Sequence, residues 1–345
     1  MRIPIRLIAF ITAIACLTTA AQSQEAYTVK VGIINSISDA PILIADKKGY
    51  FKEEGLSVEY STFDSAANMI APLGAGQLDV AAGGTSAGLF NAVARGIDMR
   101  VVADKASDPA GYGFAPLLVR SDLVDSGRFK TLKDLKGMTV AISAKGSSSW
   151  PELDAVTKKA GLKFSDVNEV ALDYPDHVIG LKNKSVDASI TIEPFATAVI
   201  ESGAAKRIMG NDEYYLNQEV AVLIYGGQFI RTHHDAALKF MKAYIRGVRY
   251  YNDALKDGRL AGRTSDDVIS ILAASTKMKD PALYRKIVPS GVDPNGKVNV
   301  ASMERDMAFY RSEGLVQGGV TAAQTVDTSF AADAVKQLGP YKPNK

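Results

Sequence analysis

Apolar and polar positions along this chain fall into short runs that keep switching period. Residues 56–63, LSVEYSTF, alternate apolar and polar side chains as a half-buried strand does. The stretch before them reads as a helix: Asp39 can cap it, Pro41 suits a first turn where a missing N–H costs nothing, and Gly49 ends it. The same grammar predicts strands over residues 29–34, 58–63, 79–82, 139–143, 170–172 and 188–192, and helices over 40–48, 66–75, 151–160 and 175–183. Such alternation is the rhythm of a parallel sheet flanked by helices. It is interrupted by two apolar stretches, 114–119 and 220–225, read as crossover strands that carry the chain out of one α/β lobe and back. Beyond them a long helical pattern runs over 235–255, with Leu238, Met241, Ile245, Val248 and Leu255 at helix spacing, and further helical pieces start at Asp266, Pro281 and Ala301.

An internal echo agrees with two similar lobes. GQLDVAAGG, residues 76–84, and SVDASITIEP, residues 185–194, share one order of helix exit, aspartate and small-residue strand, with Asp79 and Asp187 in equivalent places. The general grammar of αβ turns would produce a similar echo.

Residues 1–23 have the layout of an export signal: Arg2 and Arg6, an apolar core from Leu7 to Leu17, and the small-x-small end Ala21-Gln22-Ser23. The apolar run is too short for a membrane span of ~20 residues. The one cysteine, Cys16, lies inside this signal, so a chain cut after Ser23 has no thiol and no disulfide. Acylation of Cys16 as a lipoprotein is the competing reading, but Ala13-Ile14-Ala15 lacks the usual leucine. Taking Arg2 and Arg6 from the 40 basic residues leaves 38 against 38 acidic ones, so the expected mature chain is neutral. Without a basic cluster it has no electrostatic footprint for nucleic acid. A hydrophobic share of 47% suffices for two lobes.

Three segments could carry chemistry. AKGSSSWPEL, residues 144–153, stands at a strand-to-helix junction, where Ser149 and Glu152 fit a capping box and Gly146, Ser147 and Ser148 form a small-residue turn. Such a helix start attracts carboxylate, sulfonate or phosphate oxygens, although a plain cap has the same sequence. AGGTSAGL, residues 82–89, contains G-x-S-x-G around Ser86, the nucleophile elbow of α/β hydrolases. No oxyanion HG motif precedes it, and His177, His233 and His234 are not on a late loop, so Thr85 and Ser86 read better as a cap facing a cleft. In TIEPFATAVI, residues 191–200, Glu193 precedes a helix begun by Pro194 and serves either a ligand or the helix dipole. Tyr112, Trp150, Tyr174 and Phe195 could wall an organic ligand, each being equally at home in a core. Three histidines without ligand spacing argue against a metal, and the absence of G-x-x-x-x-G-K-[ST] argues against nucleotide hydrolysis.

The segment SISDAPILIADKKGYFKEEGLSVEY, residues 36–60, resembles the opening of the periplasmic binding proteins of nitrate, sulfonate and taurine ABC transporters, a group that includes the thiamine-pyrimidine synthases. The resemblance implies a two-lobe, type II-like periplasmic-binding-protein fold, each lobe a mostly parallel sheet with helices, and a ligand cleft between them. Expected limits are 24–115 with 222–345 for lobe one and 116–221 for lobe two, the C-terminal helices covering lobe one. It also implies a glycine/serine turn at 146–148 and an acidic residue, Glu193, at the mouth of the cleft. A small organic anion would be held at Ser38, Asp39, Thr85, Ser86, Gly146, Ser147 and Ser148, within aromatic walls, and passed to a membrane permease. Asp39, Asp176 or Glu193 could meet an amine. No cofactor, metal or catalysis is expected, and the protein should act as a monomer. A carrier for a thiamine-precursor pyrimidine is the alternative, while loss of the synthases' cysteine motif disfavours their enzyme branch.

Overall fold

The computed structural model describes residues 26–343, so the expected signal, with Cys16, lies outside the described residues. The first sheet contains β1 (Tyr27–Ile33), β2 (Leu56–Thr62), β3 (Val80–Gly84), β4 (Met99–Ser107) and β10 (Glu219–Gly226). The second contains β5 (Leu117–Arg120), β6 (Thr139–Ile142), β7 (Asn168–Ala171), β8 (Ala188–Ile190) and β9 (Ala205–Met209). Around the first lie α1 (Ala40–Lys47), α2 (Tyr50–Glu53), α3 (Ile70–Gly74) and α4 (Ala87–Ala94). The second carries α5 (Ser121–Asp125), α6 (Ser149–Lys159), α7 (Tyr174–Asn183), α8 (Phe195–Glu201) and α9 (Asn211–Tyr214). The remainder forms α10 (Gly227–Thr232), α11 (His234–Asn252), α12 (Ser265–Ser275), α13 (Pro281–Tyr284), α14 (Val300–Ser312) and α15 (Ser329–Leu338).

Strand order is β2-β1-β3-β10-β4 in one sheet and β7-β6-β8-β5-β9 in the other. The two orders superpose element for element. In each, four strands run one way and one is reversed: β10 is antiparallel to β3 and β4, and β5 to β8 and β9. The reversed strands are those that carry the chain in from the opposite sheet. All eight residues of β10 are buried, as a central strand covered on both faces requires.

The echo between residues 76–84 and 185–194 has a structural counterpart. Asp79 Oδ2 accepts from Lys30 N at 2.9 Å, and Asp187 Oδ2 accepts from Thr139 N at 3.0 Å. Their own amides donate to the carbonyls of Lys30 and Thr139, both at 2.9 Å. Each aspartate thus ties the start of one parallel strand to its neighbour.

Two expectations change. The helix foreseen over 66–75 is a 3₁₀ turn, Ala66–Met69, followed by α3, because Pro72 has no N–H for the carbonyl one turn back. The C-terminal helices do not all cover lobe one: α11 and α15 pack there, but α14 touches α4 and β10 on one side and α6 on the other. It therefore reaches both lobes.

The crossovers, residues 108–116 and 210–218, lie side by side. Asp108 N donates to Gln218 O at 3.3 Å and Asn217 N to Asp108 O at 3.0 Å. Beside them is a cavity of about 860 Å³, lined by Tyr112 and Asn217 of the crossovers, with Asp104 and Glu219 built into its wall. Asp104 and Glu219 are fully buried close to each other, and they accept backbone N–H groups from Asp293 at 2.6 Å and Asn299 at 2.5 Å. Burial pushes the Asp104 carboxyl up to about 7. An acid whose folded value lies above the unfolded ~3.9 stabilises fully below that value and loses its contribution as pH rises through about 7. The melting temperature of Asp104→Asn should therefore improve relative to wild type between pH 4 and pH 8, and a constant difference would show that this pair does not titrate there.

Candidate functional site

Four strand-to-helix junctions follow from the repeated topology: residues 34–39 after β1, 85–86 after β3, 143–148 after β6 and 191–194 after β8. They meet in pairs across the two lobes. Ala87 N donates to Gly146 O at 2.9 Å, with Ser86 and Ser147 forming an antiparallel bridge, and Ile37 N donates to Glu193 O at 3.2 Å. The approach depends on glycine. A Cβ on Gly84 would sit 2.7 Å from Ser148 Oγ, and Gly146, at φ +74°, would place one 3.2 Å from that of Ala87.

At the first junction Asp39 does not cap α1 through its side chain. Its Oδ2 accepts from Ser36 N at 3.0 Å and Ile34 N at 3.3 Å, bracing the loop, while Oδ1 lies 2.7 Å from Lys105 Nζ. Both charged side chains are fully buried. Lys105 also donates to Ser38 Oγ at 2.9 Å and Ala82 O at 3.0 Å, so the ammonium is held by one ion pair and two hydrogen bonds. Asp39 is thereby removed as a partner for a ligand amine.

At the second junction Ser86 Oγ accepts from Leu89 N at 3.2 Å as an N-cap, and Thr85 donates to Asp306 Oδ2 at 3.3 Å. His177 bonds Ser189 Oγ at 2.7 Å and Leu172 O at 3.0 Å, and burial holds its pKa down to about 4. Ser86 thus has a capping partner and His177 has two of its own. Among the described residues Ser86 and His177 do not pair with each other.

The third junction departs from the expected capping box. Ser149 Oγ accepts from Ser143 N at 3.1 Å rather than from an amide of its own helix, and Ser148 takes the cap position with no side-chain cap bond. Ser143, Ser147 and Ser149 hydroxyls form a closed triangle of 2.9, 2.9 and 3.1 Å, and Ser147 donates to Ala144 O at 2.7 Å. Ser148 is left facing Gly84 of the other lobe. Glu152, released from capping, is 2% exposed.

At the fourth junction Glu193 accepts from Thr197 N and Thr197 Oγ1, both at 2.9 Å, so its carboxylate caps α8. Burial raises its pKa. Tyr174 and Phe195 stack beside it, ring centres 6.3 Å apart. The remaining aromatics lie elsewhere: Trp150 packs edge-on between Phe164 at 5.4 Å and Phe309 at 5.3 Å, and Tyr112 lines the cavity beside the crossovers. Asp176 is exposed on α7. Among the described residues no group of three or more His, Cys, Asp or Glu could hold a metal ion, and no helix is long and apolar enough to cross a membrane.

Sequence reasoning missed the acids between the lobes. Asp108 lies on the first crossover, Glu152 on α6 and Asp306 on α14, and burial raises the pKa of each, that of Asp306 to about 7. Gln218, from the second crossover, donates to Ser148 O at 3.4 Å and to Asp306. The available hint was Lys105 next to Asp104 in VVADKAS of β4, charges within a strand whose neighbours are mostly apolar and which need partners if buried.

The NMT1/THI5-like family pattern matches residues 36–254, more than half of the chain. The chain belongs to the NMT1/THI5-like family. Among its relatives is a protein of Escherichia coli K12 named for binding aliphatic sulfonates, 28% identical over 260 residues, which cover 74% of this chain and 75% of that one. A 4-amino-5-hydroxymethyl-2-methylpyrimidine phosphate synthase of Saccharomyces cerevisiae is 26% identical over 226 residues, covering 61% of this chain and 62% of its own. In fold, the chain is similar to the alkanesulfonate-binding protein of Xanthomonas axonopodis pv. citri, with a TM-score of 0.70, 19% identity, and coverage of 88% of this chain and 99% of that one. This NMT1/THI5-like chain has the two-lobe architecture of periplasmic binding proteins.

Proposed function

We propose that this protein is the solute-binding component of an ABC importer. It captures a small organic acid between its lobes, a sulfonate, a taurine-like zwitterion or an aromatic carboxylate, and delivers it to a membrane permease. The observation that carries this reading is the convergence of four strand-to-helix junctions from two lobes of one topology, touching at Ala87–Gly146 and Ile37–Glu193. Family membership and the sulfonate-binding relative support it. Lobe one would comprise 24–115 and the chain from the start of β10 at Glu219, which moves the expected second limit back from 222, with lobe two between. Closure about the crossovers would bury the solute and form the face a permease recognises. The protein would be exported to the periplasm, act as a monomer, and break no bond.

Mass spectrometry of the gently purified protein under native conditions tests this reading. One small acid per chain, released on denaturation, is the expected result; a covalently altered product formed from it would make the protein an enzyme. The serine turn has its own test. Replacing Ser147 and Ser148 with Ala should weaken binding by ~1–3 kcal/mol, or roughly 5- to 150-fold, if their hydroxyls serve a charged ligand. Because Ser147 also holds the turn together, Ser148→Ala alone should show most of the loss in calorimetric titration. Unchanged affinity in the double variant would return residues 146–148 to the role of a helix start.

The pyrimidine-carrier alternative draws on the synthase relative and on the Tyr174–Phe195 stack. Preference for an aminopyrimidine over every acid tested would establish it.

A further inference from the structure

Several buried acceptors stand without a donor where the lobes meet. Glu152 is 2% exposed and has no hydrogen-bond or ion-pair partner among the described residues. Asp108 is fully buried; its Oδ2 accepts from Asn211 Nδ2, but its Oδ1 has no partner. Gln218 is fully buried too, and with its amide N–H groups given to Ser148 O and Asp306, its Oε1 is left without a donor. The two acids are neighbours, since the Glu152 charge helps to raise the Asp108 pKa, and the backbone of Gln218 meets that of Asp108 while its amide reaches Ser148, one helical turn before Glu152 on α6.

Among the described residues no cation answers them. Lys105 is consumed by Asp39, Ser38 and Ala82, and Lys145 is exposed, its Nζ lying over the Trp150 ring at 5.3 Å. Of the three acids expected to meet an amine, Asp39 is paired, Glu193 caps α8 and Asp176 is exposed. A buried carboxyl without a donor is costly, so a site that keeps one is built for something absent from the chain itself. A protonated nitrogen supplies both the charge and two or three N–H bonds that such acceptors lack.

We infer that Glu152, with Asp108 Oδ1 and Gln218 Oε1, receives a protonated nitrogen of the solute, so the solute is a small zwitterion that carries an amine as well as its acid group. The inference rests on the reading that the cleft captures a small acid. It divides the solute between the two faces of the α6 start: acid oxygens at Ser148 and the helix N-terminus, amine at Glu152 one turn further in. Since burial raises the Glu152 pKa, the residue weakens the empty protein and is repaid only when the nitrogen arrives.

Calorimetric titration of matched compounds tests it: taurine, ethanesulfonate and ethylamine, and in parallel 4-aminobutanoate, butanoate and butylamine. Wild type should bind one zwitterion about 10- to 100-fold more tightly than its deamino partner, as a charged hydrogen bond allows. Glu152→Gln should abolish that preference while leaving the deamino acid within about threefold of its wild-type affinity. Glu152→Asp, which keeps the charge, should retain part of the preference. Without solute, Glu152→Gln should melt at a higher temperature than wild type; a lower one would make Glu152 a structural residue. Equal or tighter binding of the deamino acid overturns the amine subsite and leaves the acid reading intact. Binding of the amine alone, lost in Glu152→Gln, upholds the subsite and overturns the acid reading. Failure of all six compounds to bind overturns both for these classes.

Discussion

Replacing Lys105 with Met should lower the free energy of unfolding by about 3–5 kcal/mol, because it leaves Asp39 as an uncompensated charge in the interior. Lys105 Nζ and Asp39 Oδ1 are 2.7 Å apart with neither side chain exposed, and Asp39 at the same time holds the loop amides of Ser36 and Ile34. Two effects compete in such a pair. Bringing both charges out of water costs several kcal/mol, and mutual attraction with good hydrogen bonds offsets that cost only while both partners remain. The double variant Lys105→Met, Asp39→Asn should therefore recover much of the loss. Chemical denaturation of the two singles and the double closes the cycle. A single variant as stable as wild type would show that the two charges are not buried together.

Replacing Trp150 with Ala should cost about 3–5 kcal/mol of stability, as expected for a large buried aromatic. The ring is 2% exposed and meets Phe164 and Phe309 edge-on, joining α6 of the second lobe to α14. Trp150→Phe should lose less, since a smaller ring still packs against both neighbours. The sequence alone equally allowed a ligand wall, and the two roles separate cleanly. A packing residue lowers the unfolding midpoint, whereas a wall lowers solute affinity at nearly unchanged stability.

Elements were legible wherever period and punctuation agreed. Gly49 and Pro41 bracket α1, the alternation of 56–63 is β2, and the Asp79 and Asp187 echo records the same strand-to-strand tie in two lobes. These are local signals, in which the physical cause and its sequence mark lie within one turn or strand. The reversed strands β5 and β10 were legible as crossovers for the same reason, but their antiparallel pairing was not, since strand direction is decided by where the chain comes from.

Site residues divide along the same line. Ser86 and Ser148 could be picked out because they occupy helix starts. Glu152 was hidden by a better local explanation: the sequence Ser149-x-x-Glu152 fits a capping box, yet Ser149 is taken by Ser143 N from the preceding strand's end. Lys105 and Asp108 are three residues apart, but Glu152 and Asp306 come from distant parts of the chain, and only the folded arrangement shows that Lys105 is spoken for while Glu152 and Asp108 face no cation among the described residues.

Thermal unfolding in the presence of candidate solutes tests the central claim, that a small acid is held between the lobes. For the mature wild-type protein, a cognate sulfonate, zwitterion or aromatic carboxylate should stabilise by ~2.7 kcal/mol at a hundredfold excess over its dissociation constant. The shift should vanish in Gly146→Val, whose side chain would be strained at φ +74° and would crowd Ala87 across the cleft. A solute that stabilises wild type and Gly146→Val equally would contradict the account, because its site would then lie outside the junctions where the two lobes meet.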